Sequence, residues 1–419
     1  MPLRRSRFVG RLVVMLTLAV VPGVFAQPEA PQPPAVPDDV ERHRVGDFVL
    51  TQPGVPKALY QEVLREYGLQ SRAVYREVLD QQRPYVANPL MPDQDTTWQV
   101  SVPDTYAPGD THGVLVFIHA ADSGQVHPFI HAQLGERKLI AIGANHTGNK
   151  QDTAFRHAAA VHAVDLIRDR YDIDEDRVYV HGLSGGGRMS SRVIFIHGHV
   201  FDGAICLIGV DPYLQIPSGR GANTVFRGFW RKGTRKRLDH IRQNNRLVLV
   251  TGEHDANRHG TLQVFKAYEK QGFAHLTYLE EPGLGHAWPS DNFLSQAMDL
   301  LDAPLYEGLD EAYRQARDAE LDGDLGAARV GYARAARYGR DQPWLEDARA
   351  KAAEFQTRHD ADLAALNVMF ADAAVSKSDL VKAINRFRKT WGRDGPVVDE
   401  LRRRVAEHGD GSGPSYTPR

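Results

Sequence analysis

Arg177-Val178-Tyr179-Val180-His181-Gly182-Leu183-Ser184-Gly185-Gly186 is the stretch on which the reading of this chain turns. A short apolar run ends in a serine with glycines two residues before and two after. A serine hydroxyl is a weak nucleophile and must be held out where a base can reach it. A tight turn from strand to helix does this, and the flanking glycines relieve the crowded backbone there. Met189-Ser190-Ser191-Arg192-Val193 can start the helix, whose N-terminal amides then face the site. Gly-x-Ser-x-Gly alone is a weak signal; between a buried strand and a helix it predicts a nucleophile at Ser184. A glycine-rich turn of structural value only is the alternative.

Outward from this stretch the same alternation repeats. Trp98 to Val102 alternates as an edge strand would. Gly113 to Ile118 and Leu139 to Gly143 are continuous apolar runs, as buried parallel strands should be. Phe155 to Tyr171 has helical periodicity, and Gly203 to Val210, Arg246 to Thr251 and His275 to Leu279 are further strands. Strands alternating with helices predict an α/β fold with a mainly parallel, doubly wound sheet. Past about Leu305 no strand signal remains, so an all-α C-terminal region is expected.

A serine nucleophile on such a sheet needs an acid and then a base later in the chain. The strand 246–251 leads to Gly252-Glu253-His254-Asp255, and the strand 275–279 to Gly283-Leu284-Gly285-His286-Ala287-Trp288-Pro289. Both ends fall on the sheet edge that carries Ser184, where open parallel sheets build their sites. Asp255 is therefore the candidate acid and His286 the candidate base among 18 histidines. Asp211 is the rival acid; His254 and His259 are poorer bases because no further strand precedes them. An oxyanion needs donors. The Gly185 amide is one candidate, and the loop His119-Ala120-Ala121-Asp122 supplies the other through Ala121, or less favourably Ala120. His119 and Trp288 are candidate substrate-binding side chains. Trp230 and Trp288 can line a pocket or simply pack.

Residues 98 to 300 resemble the α/β-hydrolase superfamily, in particular secreted polyhydroxybutyrate-depolymerase-like and feruloyl-esterase-like serine esterases. Ser184 in its elbow, Gly252-x-x-Asp255 and Gly285-His286-Ala287-Trp288-Pro289 carry the resemblance. It implies hydrolysis of small-molecule or polymeric carboxylic esters with no metal and no cofactor. The chain departs from the relatives at His119-Ala120, where they usually show His-Gly, and the added methyl narrows the backbone's freedom. A serine peptidase of prolyl-oligopeptidase type shares fold and triad, but no propeller-length N-terminal region is present. A non-catalytic secreted binding protein with a hydrolase-like body is the reading from another class.

Composition agrees with a globular protein: 419 residues, 42% hydrophobic, 25% charged, net charge −2. That balance argues against a nucleic-acid partner. Arg4, Arg5, Arg7 and Arg11, the apolar run 12–21 and Val24-Phe25-Ala26 have the layout of a signal peptide over 1–26. A secreted or periplasmic protein follows, with a membrane association only if the signal is uncleaved. Cys206, the single cysteine, sits in an apolar run and reads as a core thiol.

The remaining segments read as a proline-rich linker over 27–45, an N-terminal helical segment over 46–90 and the catalytic domain over 91–304. A helical region over 305–408 and a disordered tail over 409–419 complete the chain. Ala316, Ala328, Tyr332 and Ala335 have the spacing of one tetratricopeptide-like hairpin, or of plain helix packing; these helices are a candidate surface for a protein partner. Arg220, Arg227, Arg231, Lys232, Arg235, Lys236 and Arg237 mark a basic insertion. It reads as a lid favouring anionic substrates or as a solvated helix face.

Overall fold

The computed structural model describes residues 42–52, 54–68, 94–221, 224–230, 234–339, 341–372, 374–392 and 396–407. The signal segment 1–26, nearly all of the linker, residues 69–90 of the N-terminal segment, Arg231, Lys232 and the tail 409–419 lie outside the described residues. Among the described residues no helix is long and apolar enough to cross a membrane.

Ten strands and twelve helices are described. The central sheet has eight strands. In chain order these are β1 (Gly46–Gln52), β2 (Thr96–Val102), β3 (His112–Ile118), β4 (Leu139–Ala144), β5 (Ile173–Leu183), β6 (Gly203–Leu207), β9 (Arg246–Gly252) and β10 (His275–Glu281). Their spatial order is β1-β2-β4-β3-β5-β6-β9-β10. β1 and β2 run antiparallel to their neighbours, and the pairs from β4 to β10 are parallel. This is the mainly parallel sheet of the α/β-hydrolase fold. β7 (Ile216–Pro217) and β8 (Val225–Phe226) form a separate small hairpin.

The sheet's apolar runs feed two cores, because strand side chains alternate faces. Val114, Val116, Val178, Val180, Ala204, Cys206, Leu247 and Leu249 join one cluster. That face is covered by α1 (Lys57–Glu66), α3 (Thr153–Arg168) and α4 (Gly185–Ile196). The intervening Leu115, Phe117, Tyr179, Ile205, Leu207, Val248 and Val250 face the other cluster. There they meet α2 (Pro128–Arg137) and α7 (Asp291–Tyr306) through Ile130, Leu134, Leu294 and Met298. Helices α5 (Arg235–Asn244) and α6 (Arg258–Lys270) flank β9 in sequence. Cys206 is buried, and burial pushes its thiol well above the ordinary range.

Two expectations change. Trp98 to Val102 belongs to an interior strand, since β1 pairs on its outer side and Trp98 is 0% exposed. The edge is Asp47-Phe48-Val49-Leu50-Thr51, in which exposed Asp47, Val49 and Thr51 alternate with inward-facing Phe48 and Leu50, within the stretch read as helical. Helix in the described part of that segment is confined to α1, where Tyr60, Val63 and Leu64 turn inward.

The C-terminal helices are α8 (Leu309–Leu321), α9 (Leu325–Tyr338), α10 (Leu345–Ala371), α11 (Lys377–Trp391) and α12 (Pro396–Glu407). α8 and α9 form a hairpin through Asp322-Gly323-Asp324, with Gly323 at φ 75° and the Asp324 carboxylate accepting from the Ala327 amide. Ala316, Ala328, Tyr332 and Ala335 are buried between these helices in a core of their own. The assembly is anchored at the start of β5. There Asp174 accepts hydrogen bonds from Tyr338 Oη at 3.0 Å and Arg337 at 2.9 Å. Ser184 lies past the other end of β5, about 30 Å away at ~3.3 Å per residue.

Beside that anchor Arg177 and Asp302 form a buried ion pair at 2.7 Å, with Tyr179 Oη donating to Asp302 at 2.6 Å. Arg177→Met should therefore lower the unfolding free energy by about 3–5 kcal/mol, because Asp302 would keep its burial and lose its cation. Urea unfolding followed by circular dichroism measures it. A loss below about 1 kcal/mol would mean that this pair does not hold α7 to the sheet.

Candidate active site

Ser184 sits between β5 and α4 with φ 56° and ψ −110°. This conformation is costly for a residue with a side chain and persists only where neighbours impose it. Its amide donates to the Leu207 carbonyl at 2.8 Å, and its carbonyl accepts from the Arg188 amide at 3.0 Å. The turn is crowded from above by the end of β3. A Cβ on Gly182 or Gly186 would collide with the Ile118 carbonyl oxygen, so neither position tolerates a side chain.

Arg156, on α3, is 5% exposed and ties the surrounding loops together. It donates to the carbonyls of Thr147 at 2.6 Å, His119 at 3.0 Å and Gly185 at 3.4 Å, and to Asn149 Oδ1 at 3.3 Å. One guanidinium thus spans the loop after β3, the loop after β4 and the first residue of the elbow helix. The fixed fork of five N–H donors suits this task.

The acid loop begins where β9 ends. Asp255 has a fully buried side chain. Its Oδ2 accepts from Thr251 Oγ1 at 2.9 Å, and its Oδ1 from the Asn257 amide at 3.1 Å. The same Oδ1 lies 2.8 Å from His286 Nδ1, and His286 Nε2 lies 2.9 Å from Ser184 Oγ. A carboxylate can only accept, so this chain assigns the proton to Nδ1 and leaves the Nε2 lone pair toward the serine. The base loop is fixed to the acid loop by its backbone, the His254 amide donating to the Leu284 carbonyl at 2.8 Å.

The rivals have other partners. Asp211 is bound by Arg192 at 2.6 Å and Arg188 at 2.8 Å. Burial would raise its carboxyl, but the two guanidinium groups outweigh burial and hold it below the usual range. His259 Nε2 lies 2.5 Å from the Ser218 carbonyl, and His254 is exposed.

Around the nucleophile, Gly185 is the first residue of α4, so its amide has no acceptor within the helix. The Ala121 amide, taken from the sequence as the second donor, instead donates to His119 Nδ1 at 2.6 Å. Burial, with Arg156 adding to it, holds His119 below the ordinary histidine value, so the neutral ring accepts. The Ala120 amide makes no hydrogen bond among the described residues. Trp288 packs against His127 and Phe117 at ring distances of 4.5 and 6.1 Å, and His119 meets Phe117 edge-on at 5.3 Å. Beneath them His181 stacks on Phe117 at 4.8 Å, and burial brings it down to about 3, so it is neutral at physiological pH. Trp230 is turned away, donating through Nε1 to Glu66 at 3.1 Å.

Sequence reasoning passed over Arg156, Thr251 and Asn257. Arg156 left one signal, a charged side chain inside the apolar run Ala154-Phe155-Arg156-His157-Ala158. Among the described residues no group of three or more His, Cys, Asp or Glu is placed to hold a metal ion.

The sheet order and this arrangement define an α/β-hydrolase, a serine hydrolase that is an esterase or a peptidase. Residues 146–302 match the model of the prolyl oligopeptidase family. No curated protein matches the chain. Among solved structures it is similar to the feruloyl esterase module from Clostridium thermocellum, with 11% identity, 64% of this chain and 91% of that one covered, and a TM-score of 0.40. For S-formylglutathione hydrolase from Staphylococcus aureus the figures are 13%, 60%, 96% and 0.38. For dipeptidyl peptidase 4 from Porphyromonas gingivalis they are 14%, 51%, 34% and 0.38, so the chain spans about a third of that protein.

Asp255→Asn should lower kcat roughly 10⁴-fold, since asparagine keeps the shape but loses the charge that fixes the imidazole and stabilises its protonated form. Asp211→Asn should cost stability through its two arginines and change kcat far less. Steady-state kinetics on both variants decides the assignment. A greater kcat loss in Asp211→Asn would move the acid to the loop after β6.

Proposed function

We propose that the protein is a secreted serine esterase that cleaves carboxylic esters through Ser184, His286 and Asp255. The observation that carries the reading is the continuous hydrogen-bonded chain from Ser184 Oγ to a buried carboxylate, at 2.9 and 2.8 Å. His286 Nε2 takes the hydroxyl proton as Ser184 Oγ attacks the ester carbonyl. Asp255 accepts from Nδ1–H and stabilises the imidazolium formed. The amides of Gly185 and Ala120 receive the oxyanion, Ala120 replacing Ala121 because its donor is open. The protonated histidine then gives its proton to the departing alkoxide, and an acyl-enzyme remains on Ser184. Water, deprotonated by the same histidine, releases the acid and restores the serine.

A peptidase is the second reading, and the match of residues 146–302 to the prolyl oligopeptidase family favours it. Both readings share the nucleophile, so a panel of nitrophenyl and feruloyl esters beside peptide nitroanilides separates them. Turnover confined to the peptides would replace the esterase reading. A binding protein without catalysis would turn over neither. The proposal of export rests on the basic, apolar, small-residue order of residues 1–26.

Ser184→Ala should lose on the order of 10⁶ in rate with its fold retained. A fluorophosphonate probe should label the native protein at Ser184 and leave the variant unlabelled. Labelling at another serine would sink the assignment.

The exported protein should begin at or near Gln27, as mass spectrometry of the secreted or periplasmic fraction will show. Recovery of an intact Met1 in the membrane fraction would make residues 1–26 an anchor.

A further inference from the structure

A cavity of about 740 Å³ lies at the far edge of the sheet between the hydrolase body and α9. A smaller one, about 310 Å³, adjoins the candidate active site. Its walls include Val210, Asp211 and Pro212 after β6, Ala256 and Asn257 directly after the acid, and Arg188 one turn into the elbow helix. It therefore shares the acid loop with Asp255 and the elbow helix with Ser184. Arg220 and Arg227 close it from the β7–β8 hairpin. The hairpin is held against α6, since His259 Nε2 meets the Ser218 carbonyl and the Phe226 ring lies 6.4 Å from His259.

The charge of this cavity is one-sided. Asp211 is the sole carboxylate on its wall, and it is already bound by Arg192 and Arg188. Arg188 has a second tie, to Asn257 Oδ1 at 2.8 Å. The guanidinium groups of Arg220 and Arg227 have no hydrogen-bond or ionic partner among the described residues. Three arginines, Arg188, Arg220 and Arg227, thus line the cavity beside one acid that is already paired. The remaining wall carries an apolar strip from Val210, Phe226 and Val264 beside the polar Asn257 and Thr261.

We propose that this cavity is a carboxylate-binding subsite, and that the enzyme favours esters whose apolar stem ends in a free carboxylate. The proposal rests on the esterase reading of Ser184. The stem lies along Val210, Phe226 and Val264, and the carboxylate meets Arg220 and Arg227 with Arg188 behind them. Guanidinium forks bind carboxylates through paired charge-assisted hydrogen bonds, the strongest class available to a small anion. Of the basic insertion, Arg235 and Lys236 are exposed on α5, and Arg237 is engaged with Glu66 and the Ile196 carbonyl. Arg220 and Arg227 are exposed as well, but they line the cavity as Arg235 and Lys236 do not, which leaves the hairpin's arginines for a ligand.

The test compares mono-4-nitrophenyl adipate and suberate with 4-nitrophenyl hexanoate and octanoate, esters of equal carbon number. The native protein should prefer the charged member of each pair in kcat/KM. Arg220→Gln/Arg227→Gln should lower that charged-to-neutral ratio about tenfold, the change expected for one lost charge-assisted hydrogen bond. Arg220→Lys/Arg227→Lys should retain part of the ratio. Rising salt should erode the preference in the native protein and much less in the glutamine variant. An equal ratio in the native and glutamine proteins overturns the subsite while leaving the esterase reading intact. Absence of turnover on every ester overturns the esterase reading instead. The subsite is then judged by calorimetry of monomethyl adipate on Ser184→Ala. Binding weakened about tenfold by the arginine substitutions supports it, and equal or absent binding refutes it.

Discussion

The rest of the site depends on one close approach of backbones. The Ile118 carbonyl, at the end of β3, lies so near Gly182 and Gly186 that neither can carry a Cβ. On the opposite side the Ser184 carbonyl excludes a side chain from Gly209. The turn from β5 to α4 is therefore pinched between its two neighbouring strands, and Ser184 is held at φ 56° as a consequence. A looser turn would relax toward ordinary dihedrals and lower the hydroxyl toward the sheet. The apolar strands on both faces supply the rigidity that maintains the pinch.

Arg156 extends the constraint from one strand to three loops. Its nitrogens reach carbonyls after β3, after β4 and at the first residue of α4. Each of these carbonyls is fixed by a charge-assisted hydrogen bond, the stronger class, so one side chain sets the spacing of all three segments around the nucleophile. The same group contributes to keeping His119 neutral. Neutral His119 in turn takes the Ala121 amide, which leaves Ala120 as the open donor. The oxyanion loop is thus shaped by the burial of His119, with a guanidinium two elements away adding to it.

Much of this was legible in the sequence, for reasons that differ by element. The strands from Gly113 to Leu279 announce themselves because burial on both faces demands unbroken apolar runs. Ser184, Asp255 and His286 follow from chain order and from the ends of those strands. Asp47 to Thr51 was harder, because a short edge strand beside the helical spacing of the residues that follow shows no signal of its own until its partner is known. The Ala121 donor could not be read, since its fate depends on the protonation of His119, and hence on that ring's burial and on a guanidinium 37 residues away. Periodicity reports which face is buried; it does not report which polar atom meets which.

The acid side follows the same logic, with charge in place of steric contact. Asp211 and Asp255 end neighbouring strands, and geometry alone would admit either near the elbow. The sequence separates them by placing Arg188 and Arg192 on the elbow helix, one turn apart, where both reach Asp211. Among the described residues Asp255 meets no lysine or arginine; its partners are a threonine hydroxyl, a backbone amide and the imidazole. A carboxylate already bound to two guanidinium groups has little affinity left for a histidine proton. One satisfied by neutral donors keeps its charge for the imidazolium that forms during attack. Asn257 joins the two environments, giving its amide to Asp255 while its side chain accepts from Arg188. The elbow helix therefore fixes the nucleophile at one end and, one turn on, neutralises the carboxylate that would compete for the base.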